Sequence, residues 1–139
     1  HFTAREFQCH DRSPLPNSFD KTIQPTIEFL ERLRGFMNFY IHSKTNVWKD
    51  MGLQVVSGYR NLAYNLKIGS TKTSQHVAGT AADVKPVGGY KYFSYRQFYK
   101  MCELVDKSFS TRVYSLGLYT RSKFVHVDSR KKAARWTGN

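Results

Sequence analysis

The order of its segments predicts an α+β fold, a small antiparallel sheet flanked by helices. Helical periodicity comes early in the chain and again at its centre. The last two β-rich segments, Arg112 to Tyr119 and Lys123 to Asp128, are neighbours joined by a short polar turn. Strands alternating regularly with helices would have argued for a doubly wound parallel sheet; this grouping does not. At 139 residues the chain fits one domain, residues 1–139, with a core of its own and no need of disulfide support.

Residues 1–20 read as an N-terminal arm, set off by the turn residues Pro14, Pro16, Asn17 and Ser18. From about Pro25 to Ile41, apolar residues fall at Ile27, Leu30, Leu33, Met37 and Ile41, close to helical period. Pro25 suits the first helical position, where its missing N–H costs nothing, and Gly35 weakens the middle of that helix. Leu53 to Ser57 is a β-branched run ended by Gly58, hence a strand. Asn61 to Ile68 reads as a short helix closed by Gly69, and Thr80 to Val84 as a strand ended by Pro86 and the Gly88-Gly89 turn. Ser94 with Gln97 three residues later is a capping-box signature. The helix behind it buries Phe98, Cys102, Val105 and Phe109 along one face.

Composition narrows the function classes. No apolar run approaches the roughly 18–20 residues of a membrane span. The start, His1 to Glu6, lacks the basic region and apolar core of a secretory signal; either export does not use that route or the signal has been removed. Cys9 and Cys102 form neither a disulfide framework nor a C-x-x-C pair, and both read as buried thiols. The net charge of +12 predicts attraction to polyanions, with nucleic acid and the anionic bacterial envelope as candidates. No zinc-finger or single-strand-binding motif accompanies it. Tyr90, Tyr92, Phe93 and Tyr95 sit beside the capped helix and read as core packing rather than a base-stacking platform. His1, His10 and His42 are isolated and read as ordinary hydrogen-bonded histidines.

The segment Ser74-Gln75-His76-Val77-Ala78-Gly79-Thr80-Ala81-Ala82-Asp83 carries the chemistry. On a continuous helix its histidine and aspartate would lie about 10.5 Å apart along the axis, too far to share one metal ion. Gly79 breaks the path, and the small residues around it allow close backbone approach. A loop bearing His76 that runs into a strand bearing Asp83 brings both side chains to one point. A second imidazole comes from Phe124-Val125-His126-Val127-Asp128. Two imidazoles and one carboxylate are the ligand set of a catalytic zinc site that keeps its fourth position open. His126 and Asp128 share one face of their strand, leaving Val125 and Val127 to the core. Asp128 thus sits where a general base or an orienter of His126 would sit, and it is assigned the base role.

With Ser74, His76, Gly79, Ala81 and Asp83 filling S-x-H-x-x-G-x-A-x-D, and a late H-x-D strand, the chain resembles the zinc D-alanyl-D-alanine carboxypeptidase and murein endopeptidase family. That family shares its fold with vancomycin-resistance dipeptidases, phage L-alanyl-D-glutamate endolysins and the hedgehog signalling domain. Ser57-Gly58-Tyr59-Arg60 matches its S-x-x-R element. The resemblance covers residues 53–128 as the metal-site core and implies a hedgehog/DD-peptidase-like fold. It implies one Zn2+ held by His76, Asp83 and His126, with Arg60 donating to the scissile carbonyl oxygen and Ser74 holding the substrate backbone. Many relatives place a carboxylate three residues before the last histidine as the base. Here that position is Lys123, and Gly117 to Lys123 contains no carboxylate.

The expected activity is therefore that of a zinc metallopeptidase hydrolysing stem peptides or cross-links of peptidoglycan. It would work as a monomer at the bacterial cell wall, on the periplasmic or extracellular side, with an anionic wall surface as partner and no obligate nucleic acid. A small basic domain of this kind resembles phage-encoded lysis enzymes. The alternatives are a non-catalytic zinc domain that recognises a cell-wall or protein ligand, and a nucleic-acid-binding module.

Overall fold

The computed structural model describes residues 1–139. A 3-10 turn (Ala4–Phe7) precedes α1 (Phe19–Thr45), β1 (Leu53–Ser57), α2 (Leu62–Lys67), β2 (Ala81–Pro86), α3 (Tyr95–Lys107), β3 (Ser115–Tyr119), β4 (Phe124–Asp128) and β5 (Arg135–Gly138). The fold is α+β, with one five-stranded sheet in the order β1-β2-β4-β3-β5. The first four strands pair antiparallel, whereas β5 adds to the β3 edge in parallel. The sheet is therefore mixed rather than purely antiparallel. Four residues are too few to show a period, so β5 has no signature in the sequence.

Strand alternation divides the sheet into two faces. Ala82, Val84, Leu116, Leu118, Val125 and Val127 point into the core, where α1 and α3 meet them with Leu30, Leu33, Phe98 and Val105. The opposite face carries Asp83, Gly117, His126 and Asp128. Val125 and Val127 thus lie on the core side, as their spacing predicts.

Helix α1 starts at Phe19, six residues before the expected Pro25. Phe19 and Ile23 are buried and extend the apolar stripe by more than a turn, which outweighs one missing hydrogen bond at a proline inside the helix. The Pro25 carbonyl accepts the Tyr114 hydroxyl at 2.7 Å, which ties α1 to the segment before β3. Caps follow the sequence: Asn61 Oδ1 accepts the Tyr64 N–H at 2.8 Å, and Ser94 and Gln97 form a reciprocal capping box.

The N-terminal arm is part of the packing. Phe7 is fully buried, and its carbonyl accepts the Tyr59 N–H at 2.8 Å. A Cβ on Gly58 would lie 2.5 Å from Phe7 Cα, so that crossing requires glycine. Both cysteines are buried and free, and burial pushes the Cys102 thiol up. The tyrosines and phenylalanine of residues 90–95 pack on the core cluster, which is the packing reading of that run.

Gly35 sits exposed in mid-helix, and a Cβ added there would meet no atom within 4 Å. Gly35→Ala is therefore expected to raise the unfolding free energy by about 0.5–1 kcal/mol in urea titrations. A loss of stability would mean that the glycine relieves strain in α1.

Candidate metal centre

Three side chains from separate parts of the chain meet above the sheet. Asp83 on β2 and His126 on β4 are direct cross-strand partners, so both project from the same face. His76 comes from the turn-rich segment before β2. Gly79 makes that approach possible: its φ is +72°, and a Cβ there would lie 2.9 Å from Thr22 Oγ1. Thr26 Oγ1 donates to the Thr80 carbonyl at 2.6 Å, pinning the bend to α1.

His76 Nδ1–H donates to the Gly58 carbonyl at 2.7 Å, which leaves Nε2 as the free donor atom. That Nε2 lies 3.3 Å from Asp83 Oδ1. His126 Nδ1 approaches the same oxygen at 2.9 Å. The two rings meet edge-on with centroids 5.0 Å apart. One ligand atom from each of the three residues lies within 4.8 Å of the others, and the residues are 3–5 % exposed. Two imidazole nitrogens and a carboxylate oxygen gathered this closely fit the donor set of a zinc ion with an open fourth position.

The electrostatics follow from burial and proximity. Burial works against the Asp83 carboxylate, but the two imidazoles outweigh it and hold the group well below the usual carboxylate range. Burial likewise pulls His126 down, yet hydrogen bonds to Asp128 and Asp83 prevail and raise it. The carboxylates at its two ring nitrogens thus favour the protonated form of the metal-free imidazole.

Arg60 lies beside the donors. Its Nε donates to Ser57 Oγ at 2.9 Å and its Nη2 to Asp83 Oδ2 at 3.2 Å, leaving Nη1 without a partner inside the protein. Ser74 Oγ accepts the His76 N–H at 3.3 Å and so also shapes the turn. Both residues line a cleft of about 330 Å³ with the three donors. Hydroxyl and amide side chains of residues 70–75 line it together with the rings of Tyr119, Phe124 and Trp136.

Asp128 stands elsewhere than a cleft base would. It is fully buried and does not line the cleft. His126 Nε2–H donates to its Oδ2 at 2.8 Å, and Arg130 engages both oxygens. Burial would raise its pKa, but these hydrogen bonds outweigh that and hold it below the usual range. A carboxylate so engaged, on the far side of the imidazole, has the position of an orienter of His126. Lys123 lies in the β3–β4 turn, with its ammonium 6.0 Å over the Tyr95 ring and outside the cleft lining.

The remaining histidines are remote from the centre: His10 Nε2 bonds the Val56 carbonyl, His1 pairs with Glu31, and His42 stacks on Trp48. The sequence reading missed Tyr119, Arg130 and Trp136. Their signal is weak, since Arg130 falls within a basic run and Trp136 within a four-residue strand.

The raised His126 predicts a pH effect. Its proton stabilises the metal-free protein below the free-imidazole value of about 6.5, and that contribution is lost as pH rises through the raised value. Zinc requires the neutral ring, so proton and metal compete. The gain in Tm on adding zinc should therefore grow from about pH 5.5 to 8 in calorimetric scans. A gain that shrinks with rising pH would show that His126 exchanges no proton for metal.

No curated protein and no solved structure matches the chain. The family described as Peptidase M15 matches residues 1–128, which takes in the N-terminal arm as well as the stretch from residue 53. Over 128 of 139 residues, with its metal-ligand candidates gathered at one cleft, the chain belongs to the peptidase M15 family of metallopeptidases.

Proposed function

We propose that the protein is a zinc-dependent peptidase that cleaves peptide bonds in peptidoglycan stem peptides or their cross-links, acting at the bacterial cell wall. The observation that carries this reading is the buried His76–Asp83–His126 cluster at the cleft beside Arg60. When bound, zinc would polarise the amide carbonyl and lower the pKa of water to about 7.

The chain's own residues account for binding and orientation. Ser74 and its neighbouring hydroxyls offer donors and acceptors to an extended peptide backbone, while the rings opposite accept its side chains. Arg60 is held by Ser57 and Asp83 with Nη1 free, so it supplies a fixed positive donor for charge developing on the carbonyl oxygen. Asp128 fixes the tautomer of His126 with Nε2 protonated and Nδ1 turned to Asp83. The net charge of +12 favours a negatively charged wall surface. No helix is long and apolar enough to cross a membrane.

One observation favours the second reading, a zinc domain that binds without cleaving. Asp83 is the only carboxylate lining the cleft, and it belongs to the donor set. No acidic side chain is left there as a dedicated base.

Muropeptide release from purified peptidoglycan decides between them. Wild type should release fragments, chelation should stop release and zinc restore it, and His126→Ala should be inactive. Arg60→Ala, assayed at saturating zinc, should lower kcat about 10²–10³-fold. Release that persists in His126→Ala, or purified protein without zinc, would sink the enzyme reading; bound zinc without release would establish the second.

Asp128→Asn separates the two roles considered for that residue. As an orienter of His126 its loss should weaken zinc binding about 10–100-fold. Lost turnover at unchanged zinc affinity would instead make it the base.

A further inference from the structure

Residues 129–139 lie beyond the family match, which ends at Asp128, yet two of their side chains close on His126. Arg130 Nε donates to Asp128 Oδ1 at 2.8 Å and to Oδ2 at 3.0 Å, and its Nη2 also reaches Oδ2. The Arg130 backbone N–H adds a bond to Oδ1 at 3.0 Å. Asp128 in turn accepts His126 Nε2–H. From β5, the Trp136 ring lies against the His126 ring with centroids 5.2 Å apart. The Arg130 guanidinium stands 5.4 Å over the Trp136 ring, and Trp136 Nε1 donates to the Tyr119 hydroxyl at 3.3 Å. The contacts form a closed ring: Arg130, Asp128, His126, Trp136 and back to Arg130.

Two features separate this ring from ordinary edge packing. The indole reaches His126 only because Gly117 stands between them; a Cβ there would lie 2.3 Å from Trp136 Cε2. The Asp128–Arg130 pair, with its carboxylate buried and its guanidinium 32 % exposed, is also a modest source of stability, since partly exposed ion pairs are screened by solvent. What the pair does supply is a fixed carboxylate behind a metal-ligand candidate. β5 itself is anchored by Arg135, which pairs with Asp106 at the end of α3 and donates to the Tyr114 carbonyl.

We infer that Arg130 and Trp136 are positioning residues for the metal centre, Arg130 by holding Asp128 on Nε2 of His126 and Trp136 by fixing the plane of the ring. Between them they aim His126 Nδ1 at the other two donors. The inference rests on the zinc reading of the cleft.

The test is zinc affinity by chelator competition, with Tm of the metal-free and zinc-loaded forms. Arg130→Ala and Trp136→Ala should each weaken zinc binding about 10–100-fold and shrink the Tm gap between the two forms. Arg130→Lys and Trp136→Phe should recover part of the affinity, and Lys131→Ala, in the same basic run, should leave it unchanged. A purely structural role would lower both melting temperatures together and leave the gap intact; that result overturns the inference. So does affinity within about twofold of wild type in Trp136→Phe and Arg130→Lys together with no further loss in the alanine variants. Loss of affinity in Lys131→Ala equal to that in Arg130→Ala would overturn it as well, by reducing it to general charge. Wild-type protein that binds no zinc would overturn the reading of the centre and the inference with it, whereas normal wild-type binding with unaffected variants overturns the inference alone.

Discussion

One row of cross-strand partners organises this molecule. Ser57 faces Asp83, Asp83 faces His126, His126 faces Gly117, and Gly117 faces Trp136. Residues opposite one another in a sheet project from the same face. The row therefore delivers an arginine anchor, a carboxylate, an imidazole, a gap and an indole side by side across all five strands. A register slip of one residue in β2, β3 or β4 would turn its member of the row into the core. The apolar partners on the other face, Ala82, Val84, Val125, Val127, Leu116 and Leu118, penalise that slip. The core is thus what fixes the position of the site.

Charge is balanced locally at the centre. Asp83 is shared between His76, His126 and Arg60, and Asp128 between His126 and Arg130. Neither buried carboxylate is left without a partner, which is the condition under which such groups persist in an interior. The same arrangement leaves the cleft with cations, hydroxyls and aromatic rings but no spare acid. Recognition of a peptide needs only the former, whereas hydrolysis also has to dispose of a proton.

The parts of the fold that were legible are those governed by short-range chemistry. The capping box at Ser94 and Gln97, the N-cap at Asn61 and the strands at Leu53–Ser57 and Phe124–Asp128 each have a local cause. The sequence points to a start of α1 at Pro25 because proline is a local boundary signal, whereas the burial of Phe19 and Ile23 that extends the helix N-terminal to it is a tertiary gain. β5 has no local signature, because its pairing with β3 depends on residues 129–134 carrying the chain past β3 to its open edge. Nothing within Arg135–Gly138 itself encodes that partner.

At the site, the three ligand candidates follow from the order of residues alone. His76 and Asp83 straddle a glycine whose left-handed conformation makes the bend, and His126 alternates with two core valines, so side-chain direction follows from neighbours a few residues away. What surrounds those three came only with the packed molecule. Asp128 shares its strand face with His126, yet which side of the imidazole it occupies depends on Arg130 and the path of the chain beyond it. Trp136 reaches His126 only through the space above Gly117, and that space exists only once β3, β4 and β5 are in register. Spacing along the chain sets which atoms can point the same way; packing between distant segments sets what each of them meets.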